Sequence, residues 1–496
     1  MRENIRYTSL KSKKRITILA HSLVSKTFIR KYGILCVILC LGLGYLYYRR
    51  VLHQKYIYHT LPAYQQNINL KLSPKAPRDR YQTERWQPIG DPSKRFQIYS
   101  AYFDSRLEIV EDMVVPQGVL PFGSVRIVAI LPLKFRQSKV FCHFRYRDQS
   151  EVQRLQADRV ETIHENFDMP FSATFVVCKL VGRVDSTDVL LPDEVGLSYE
   201  VETDMTEPSF VEIHYPTWNL LPQGEHNHNL AVCVGPLHHN FTNAARIVEF
   251  VEYWKLLGAE RFYFYNKTSS DDVSKVLRYF DERGEVEVHD WNLEGYEFEQ
   301  DLRYEGIFAA LNDCLYRATV LGEYSYTALV DLDEFLMPAE APGGLIRFLT
   351  ARDRYDVHSF NFQAVFFYDF YEEDFSRKPT WTNNSYLYTQ VRNQRTSEPF
   401  VLHNRSKYIA KGRCVIEAGN HFVWRALRDT EEYHVREDEG LLFHYRDGCV
   451  GYGCESYVED NRARRYENWI WPAVDTVCRS LFPEYGGVCP LGDGSE

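Results

Sequence analysis

The tripeptide Asp331-Leu-Asp333 is where residue types and spacing in this chain point most directly to chemistry. It follows Thr327-Ala-Leu-Val330, an apolar run that predicts a buried strand, so the carboxylates fall at a strand's carboxyl end, where open α/β sheets bind ligands. In a strand continuing through them, both side chains would face one way. Two like charges that close favour protonation unless a cation neutralises them. A divalent metal with oxygen ligands resolves the conflict and can bridge a diphosphate. The alternative is a solvated strand end, and the apolar Leu329-Val330 and Phe335 on either side weigh against it.

The elements around the pair alternate strand and helix. Leu230–Val234 reads as a strand. Residues 243–257 place Ile247, Phe250, Val251, Trp254 and Leu257 at helical spacing, with Gly258 as a stop. A strand at 261–265, a helix capped by Asp271 or Asp272, a strand at 285–291 and a long helix through Ile307, Leu311 and Leu315 then lead to the strand at Tyr326. This βαβα order predicts an α/β fold with a mostly parallel sheet covered by helices. Upstream, Val125–Ile130, Val140–Phe144, Ala173–Cys178 and Ser209–Ile213 are short β-branched or aromatic runs, which predict a small β-sandwich-like domain over residues 96–225 ahead of a catalytic domain over 226–496.

The first fifty residues carry eleven basic side chains and one acidic, so the formal charge of −10 hides about −20 on the remainder. That argues against a nucleic-acid partner, which needs a basic footprint. It suits an enzyme handling an anionic substrate through a metal and a few local cations. Residues 33–48, Gly33 to Tyr48, form an apolar run behind a basic tail (residues 1–32), which predicts a single-pass anchor with the tail cytosolic. The run is shorter than the ~20 residues an average bilayer needs, which fits a thinner, Golgi-like membrane. A cleaved signal peptide is the rival reading. Prolines 62, 74, 77, 88 and 92 mark residues 49–95 as a stem. Nine cysteines beyond the anchor allow at most four disulfides and one thiol, and the sequons at Asn240, Asn266, Asn383 and Asn404 become usable if that part is luminal.

Tyr99–Arg106, Arg246–Glu252, Asn312–Leu315, Asp331–Phe335 and His444-Tyr-Arg446 together resemble the ordered motifs of glycosyltransferase family 92. The resemblance covers roughly residues 96 to 470. It implies a type II Golgi membrane protein with a GT-A-like catalytic domain that transfers galactose from UDP-galactose, in β linkage and with inversion, to terminal galactose or fucose of N-glycans or related glycoconjugates. Carried over, it makes Asp331 and Asp333 the pair that binds Mn²⁺ and donor, with His444 completing the metal shell. Lys407, Lys411 or Arg413 would contact a donor phosphate. Glu417 is the first choice as catalytic base, with Glu334 as the alternative, and His421 would orient the base or the acceptor. Family members often carry Gly-Gln before the long helix, whereas here Ile307 follows Gly306. Another UDP-hexose donor, or an inactive membrane-tethered glycan-binding protein, are the competing readings.

Overall fold

The computed structural model describes residues 69–71, 85–90, 95–110, 115 and 118–492, with gaps at 134–139, 148, 184, 186–187, 200–207, 217–227, 294, 297–299, 341–342, 385 and 450–452. The expected tail and anchor, and most of the stem, lie outside these residues. No helix among those described is long and apolar enough to cross a membrane. Two pieces of the stem pack on the body: Asn69–Lys71 pairs with Asp188–Leu190, and Gln87–Pro88 adds to the edge of Gln97–Asp104.

The strand-rich half contains β1 (Gln97–Asp104), β2 (Val119–Pro132), β3 (Val140–Arg145), β4 (Gln153–Gln156), β5 (Arg159–Thr162), β6 (Phe171–Arg183), β7 (Glu194–Tyr199) and β8 (Phe210–His214), in the sheet order β4-β3-β7-β8-β1-β2-β6-β5. Cys142 on β3 and Cys178 on β6 have four strands between them in that order, yet they form a disulfide with Cα atoms 6.4 Å apart. The sheet therefore curls on itself, and its alternating apolar residues close an inner core.

The second half begins with β9 (His228–Val234), α1 (Ala244–Leu257), β10 (Ala259–Asn266), α2 (Asp271–Asp281) and β11 (Val286–Asp290). It continues through α3 (Ile307–Val320), β12 (Tyr324–Val330), β13 (Glu334–Pro338), α4 (Gly344–Arg352), β14 (Val357–Phe362) and β15 (Ala364–Tyr368). The last elements used below are β16 (Lys407–Ala410), β17 (Val415–Ala418), β18 (Val423–Ala426), β19 (Glu431–His434), β20 (Gly440–Arg446) and α5 (Glu467–Leu481). The main sheet runs β11-β10-β9-β12-β16-β14-β19; β9 to β12 are parallel, and β16 is inserted antiparallel between β12 and β14. A small sheet, β13-β20-β15, stands beside it. This is the expected α/β architecture, with a GT-A-like fold.

Local chemistry explains the boundaries. Asn243 caps α1 by accepting from Arg246 N, and Gly258 ends it at φ 103°, a conformation that favours glycine. Ser270, rather than either aspartate, caps α2; Asp271 and Asp272 sit in the first turn, where negative charge complements the helix dipole. The strand ends at Val330, as the apolar run predicts, with the carboxylate pair just beyond it. Glu334 N donates to the Asp331 carbonyl (3.1 Å) and Asp331 N donates to Glu334 Oε2 (2.8 Å), which closes a turn at the carboxylate pair.

Residues Asn67–Glu496 cluster as one compact unit. Asp313 on α3 is fully buried and accepts from Ser100, Tyr102 (2.6 Å) and Tyr265 (2.6 Å) while pairing with Arg317 (3.1 Å). The motif on β1 thus fastens the curled sheet to α3. Cys233–Cys314 ties β9 to α3, and Cys449–Cys454 and Cys478–Cys489 complete four disulfides, leaving Cys414 as a buried thiol.

Candidate active site

A cleft of about 420 Å³ opens at the carboxyl ends of β9 and β12. Asp331, Asp333, Glu334, Asn420, His421 and His444 line it, together with the cations Arg246, Arg405 and Arg446. Its floor follows β9 through Gly235, where a Cβ would come within 3.3 Å of Asp331 Oδ1. A side chain there would press on the carboxylate.

Lys407, at the start of β16, is 1 % exposed and donates to Asp331 Oδ2 (2.9 Å) and Asn420 Oδ1 (2.6 Å), with Glu334 Oε2 at 3.4 Å. Burial alone would lower the ammonium pKa, but the surrounding carboxylates outweigh it and hold Lys407 charged. His444 Nε2 lies 2.9 Å from Asp333 Oδ2, and its Nδ1 is 3.3 Å from Glu334 Oε1. Burial pushes Asp333 up, but His444 draws it well below the usual carboxylate range; the same contact overcomes burial and raises His444. Glu334, 1 % exposed, is pushed up to about 7 by burial, only partly countered by Lys407.

His421 is held on three sides. Its carbonyl accepts from Asn361 Nδ2 (3.0 Å) and Ser406 Oγ (3.0 Å), while its Nδ1 meets the Ser406 carbonyl at 3.0 Å. A carbonyl only accepts, so Nδ1 carries the proton and Nε2 keeps a lone pair. Burial, then Lys407, lowers its pKa to about 4. The ring is neutral at physiological pH.

Among the predicted site residues, the structure brings Asp331, Asp333, Lys407, His421 and His444, together with Glu334, to one place. It sends three elsewhere. Lys411 is buried against Asp353 and the Arg354 carbonyl (2.8 Å), and Arg413 is exposed on the short turn after it. Neither lines the cleft. Glu417 is fully buried: Oε1 accepts from His164 N (2.7 Å) and faces its Nδ1 (2.9 Å), and Oε2 accepts from Arg425 Nε (2.8 Å). Both oxygens are engaged, and Glu417 does not line the cleft.

Sequence reasoning missed Asn420, Arg246, Arg405 and Arg446 as cleft residues. Arg246 was legible in principle, since it opens the first helix after a parallel strand, at the ligand end of the sheet. The others depend on loop paths that carry no periodic signal.

The two carboxylates of Asp331 and Asp333 and the imidazole of His444, all lining the cleft, are a donor set of the kind Mn²⁺ takes. His444 Nδ1 is buried without a hydrogen bond, so the ring is not locked into an unrelated network. A second group of metal-type ligands, His403, Glu432 and His434, lies on the surface with ligand atoms within 4.8 Å of one another.

An α/β domain with an acidic pair at the end of the fourth strand of its sheet-and-helix half therefore defines the class. The pattern of glycosyltransferase family 92 matches residues 228–480, and the chain belongs to that family. The chain is similar to the beta-1,4-galactosyltransferase galt-1 of Caenorhabditis elegans, with 24% identity over 395 residues, covering 76% of this chain and 80% of that protein. Among solved structures it is similar to residues 1–349 of S. aureus TarS (12% identity, TM-score 0.22, 51% of this chain and 66% of that one). Another is glucosyl-3-phosphoglycerate synthase from Mycobacterium tuberculosis in complex with Mn²⁺, UDP and glucosyl-3-phosphoglycerate (11% identity, TM-score 0.23, 57% and 89%). The chain spans only 28% of the WbbM bifunctional glycosyltransferase (9% identity, TM-score 0.18, 36% of this chain). Likenesses this distant carry no argument about activity.

Proposed function

We propose that the chain is a metal-dependent inverting galactosyltransferase, moving galactose from UDP-galactose to a terminal galactose or fucose of a glycan in β linkage, as a type II Golgi membrane protein anchored through residues 33–48. The observation that carries this reading is the meeting of Asp331, Asp333, Lys407 and a neutral His421 in one cleft of a family 92 chain. The similarity to a beta-1,4-galactosyltransferase supports the choice of sugar and linkage.

In this reading Asp331, Asp333 and His444 would hold Mn²⁺, which supplies charge neutralisation for the diphosphate. Lys407 fixes Asp331, and Arg246, Arg405 and Arg446 supply further positive charge along the cleft. The base becomes His421 rather than Glu417. Its Nε2 takes the proton of the acceptor hydroxyl as the oxygen bonds to the sugar's anomeric carbon. The bond from that carbon to the phosphate oxygen breaks on the opposite face, and UDP leaves with the electron pair. A diphosphate arriving nearby raises the basicity of His421, because negative charge favours the protonated ring.

The test is a panel of UDP-sugars with Mn²⁺ and galactose- or fucose-ended glycans, read by initial rates and by the anomeric NMR signal of the product. UDP-galactose is the expected donor, giving a β-linked product, and Asp331→Asn and Asp333→Asn are each expected to lower turnover by about 100-fold or more. Undiminished turnover in Asp333→Asn after stringent metal removal would reject the metal site. An α-linked product would reject inversion.

A further inference from the structure

The cleft continues outward over a rim that the curled sheet supplies. The loop after β5 carries His164, Glu165 and Phe167. His164 stacks on Trp424 at 5.0 Å with planes 7° apart, and Glu165 Oε2 accepts from Asn420 N (2.6 Å). Phe167, 56% exposed, packs beside Phe308 (5.9 Å) and under the guanidinium of Arg303 (4.9 Å), which also covers Tyr304 (3.9 Å). Asn420 and Tyr304 both line the cleft. One short loop thus bridges two sides of the mouth.

We propose that this rim is the acceptor subsite, and that it binds the terminal pyranose of a glycan, with Trp424 and Phe167 as stacking faces and Glu165 as the hydroxyl acceptor. This rests on the transferase reading of the cleft. Three features fit a sugar. Tyr304 (42% exposed), Trp424 (37%) and Phe167 are exposed aromatic rings with charged and amide side chains packed against them, the mixed surface that the C–H face and hydroxyls of a pyranose match. Between them stand polar groups, Glu165, Asn166 and Arg303, and a pyranose offers an apolar C–H face ringed by hydroxyls. Glu165 is half-buried, so a hydroxyl donating to its carboxylate makes a charge-assisted bond in a sheltered place. Burial raises the Glu165 pKa, yet the Asn420 amide and the Trp424 side chain both favour its charged form.

The loop is also held in shape for this. Phe167 and Asp168 both adopt left-handed backbone conformations (φ 52° and 54°), while Asn166 accepts from Asp168 N (3.1 Å) and donates to the Ile163 carbonyl (2.9 Å). Residues 163–168 lie outside the stretch matching the family, 228–480. The acceptor subsite would therefore draw on both halves of the chain, residues 163–168 from the strand-rich half and Trp424 from the half that carries the cleft.

The experiment uses the full-length chain and the variants Phe167→Ala, Trp424→Ala, Trp424→Phe and Glu165→Gln. Acceptor KM, donor KM, UDP affinity by calorimetry, and binding of methyl β-galactoside and methyl α-fucoside by saturation-transfer NMR are measured. Phe167→Ala and Trp424→Ala are each expected to raise acceptor KM about tenfold, the scale of one lost aromatic contact, with UDP affinity retained. Trp424→Phe should recover most of the loss, which a merely structural role would not require. Because Phe167 is largely exposed, its variant remains informative should Trp424→Ala fold poorly. Acceptor KM within twofold of wild type in both alanine variants would overturn the subsite. If no UDP-sugar is turned over by the wild type, the transferase reading fails; glycoside binding that is lost in Phe167→Ala would still sustain the subsite, and absent binding would end it.

Discussion

Glu417 and His421 stand four residues apart and divide the labour differently from what their order in the chain implies. On β17, a bulge shifts the register at Glu417 against Arg425, and the carboxylate turns inward to an ion pair. Simple alternation cannot forecast the face of a side chain next to a bulge, so nothing local spoke against Glu417 as the first choice of base, ahead of Glu334. The signal lay eight residues on, in Arg425. The consequence is measurable. Glu417→Gln is expected to lower stability by about 2 kcal/mol, because it removes one of the two carboxylates that Arg425 bonds and leaves Glu161 as the other; urea unfolding followed by far-UV circular dichroism checks it. A stability equal to wild type with turnover abolished would return Glu417 to the role of base.

At the level of elements, the hairpin β17–β18 is clamped to the curled sheet through charge. Arg425 Nη2 donates to Glu161 Oε2 (2.8 Å) on β5, and Arg126 on β2 reaches the same oxygen at 3.3 Å. Burial pushes Glu161 up, but these arginines together lower its pKa from 4.5 to about 2. A carboxyl depressed in the folded state contributes stability that is present above its unfolded pKa and is lost as pH falls through the folded one. Glu161→Gln should therefore have a lower urea midpoint than wild type at pH 6, and the gap should narrow between about pH 4.5 and pH 2. A gap that stays constant across that window would show the pairing to be energetically silent. Elements such as α1 were legible because their apolar residues repeat along a face and Asn243 and Gly258 punctuate them. The clamp was not, because nothing local in the chain tells Glu161 that Arg425 will arrive beside it. The strand end at Val330 was legible from the apolar run before the carboxylates, whereas the two hydrogen bonds that close the turn at Asp331–Glu334 carry no pattern of their own.

Across the whole molecule, cysteine number was legible and connectivity was not. The four disulfides and buried Cys414 account for all nine cysteines beyond residue 48. Peptide mapping of unreduced protein secreted from an oxidising compartment should recover these four pairs and one thiol. Removing the Cys142–Cys178 bridge should cost about 2–4 kcal/mol by loss of the loop constraint on the unfolded chain; nine alkylatable thiols in the native protein would sink the assignment. Cys233–Cys314 has a different kind of consequence. It joins the strand that runs into Gly235 to the helix that begins behind Gly306, so the two sides of the cleft's base are covalently one piece. Any opening that admits a substrate or frees a product would then fall to the loops above, around Tyr304 and Arg405, rather than to the sheet.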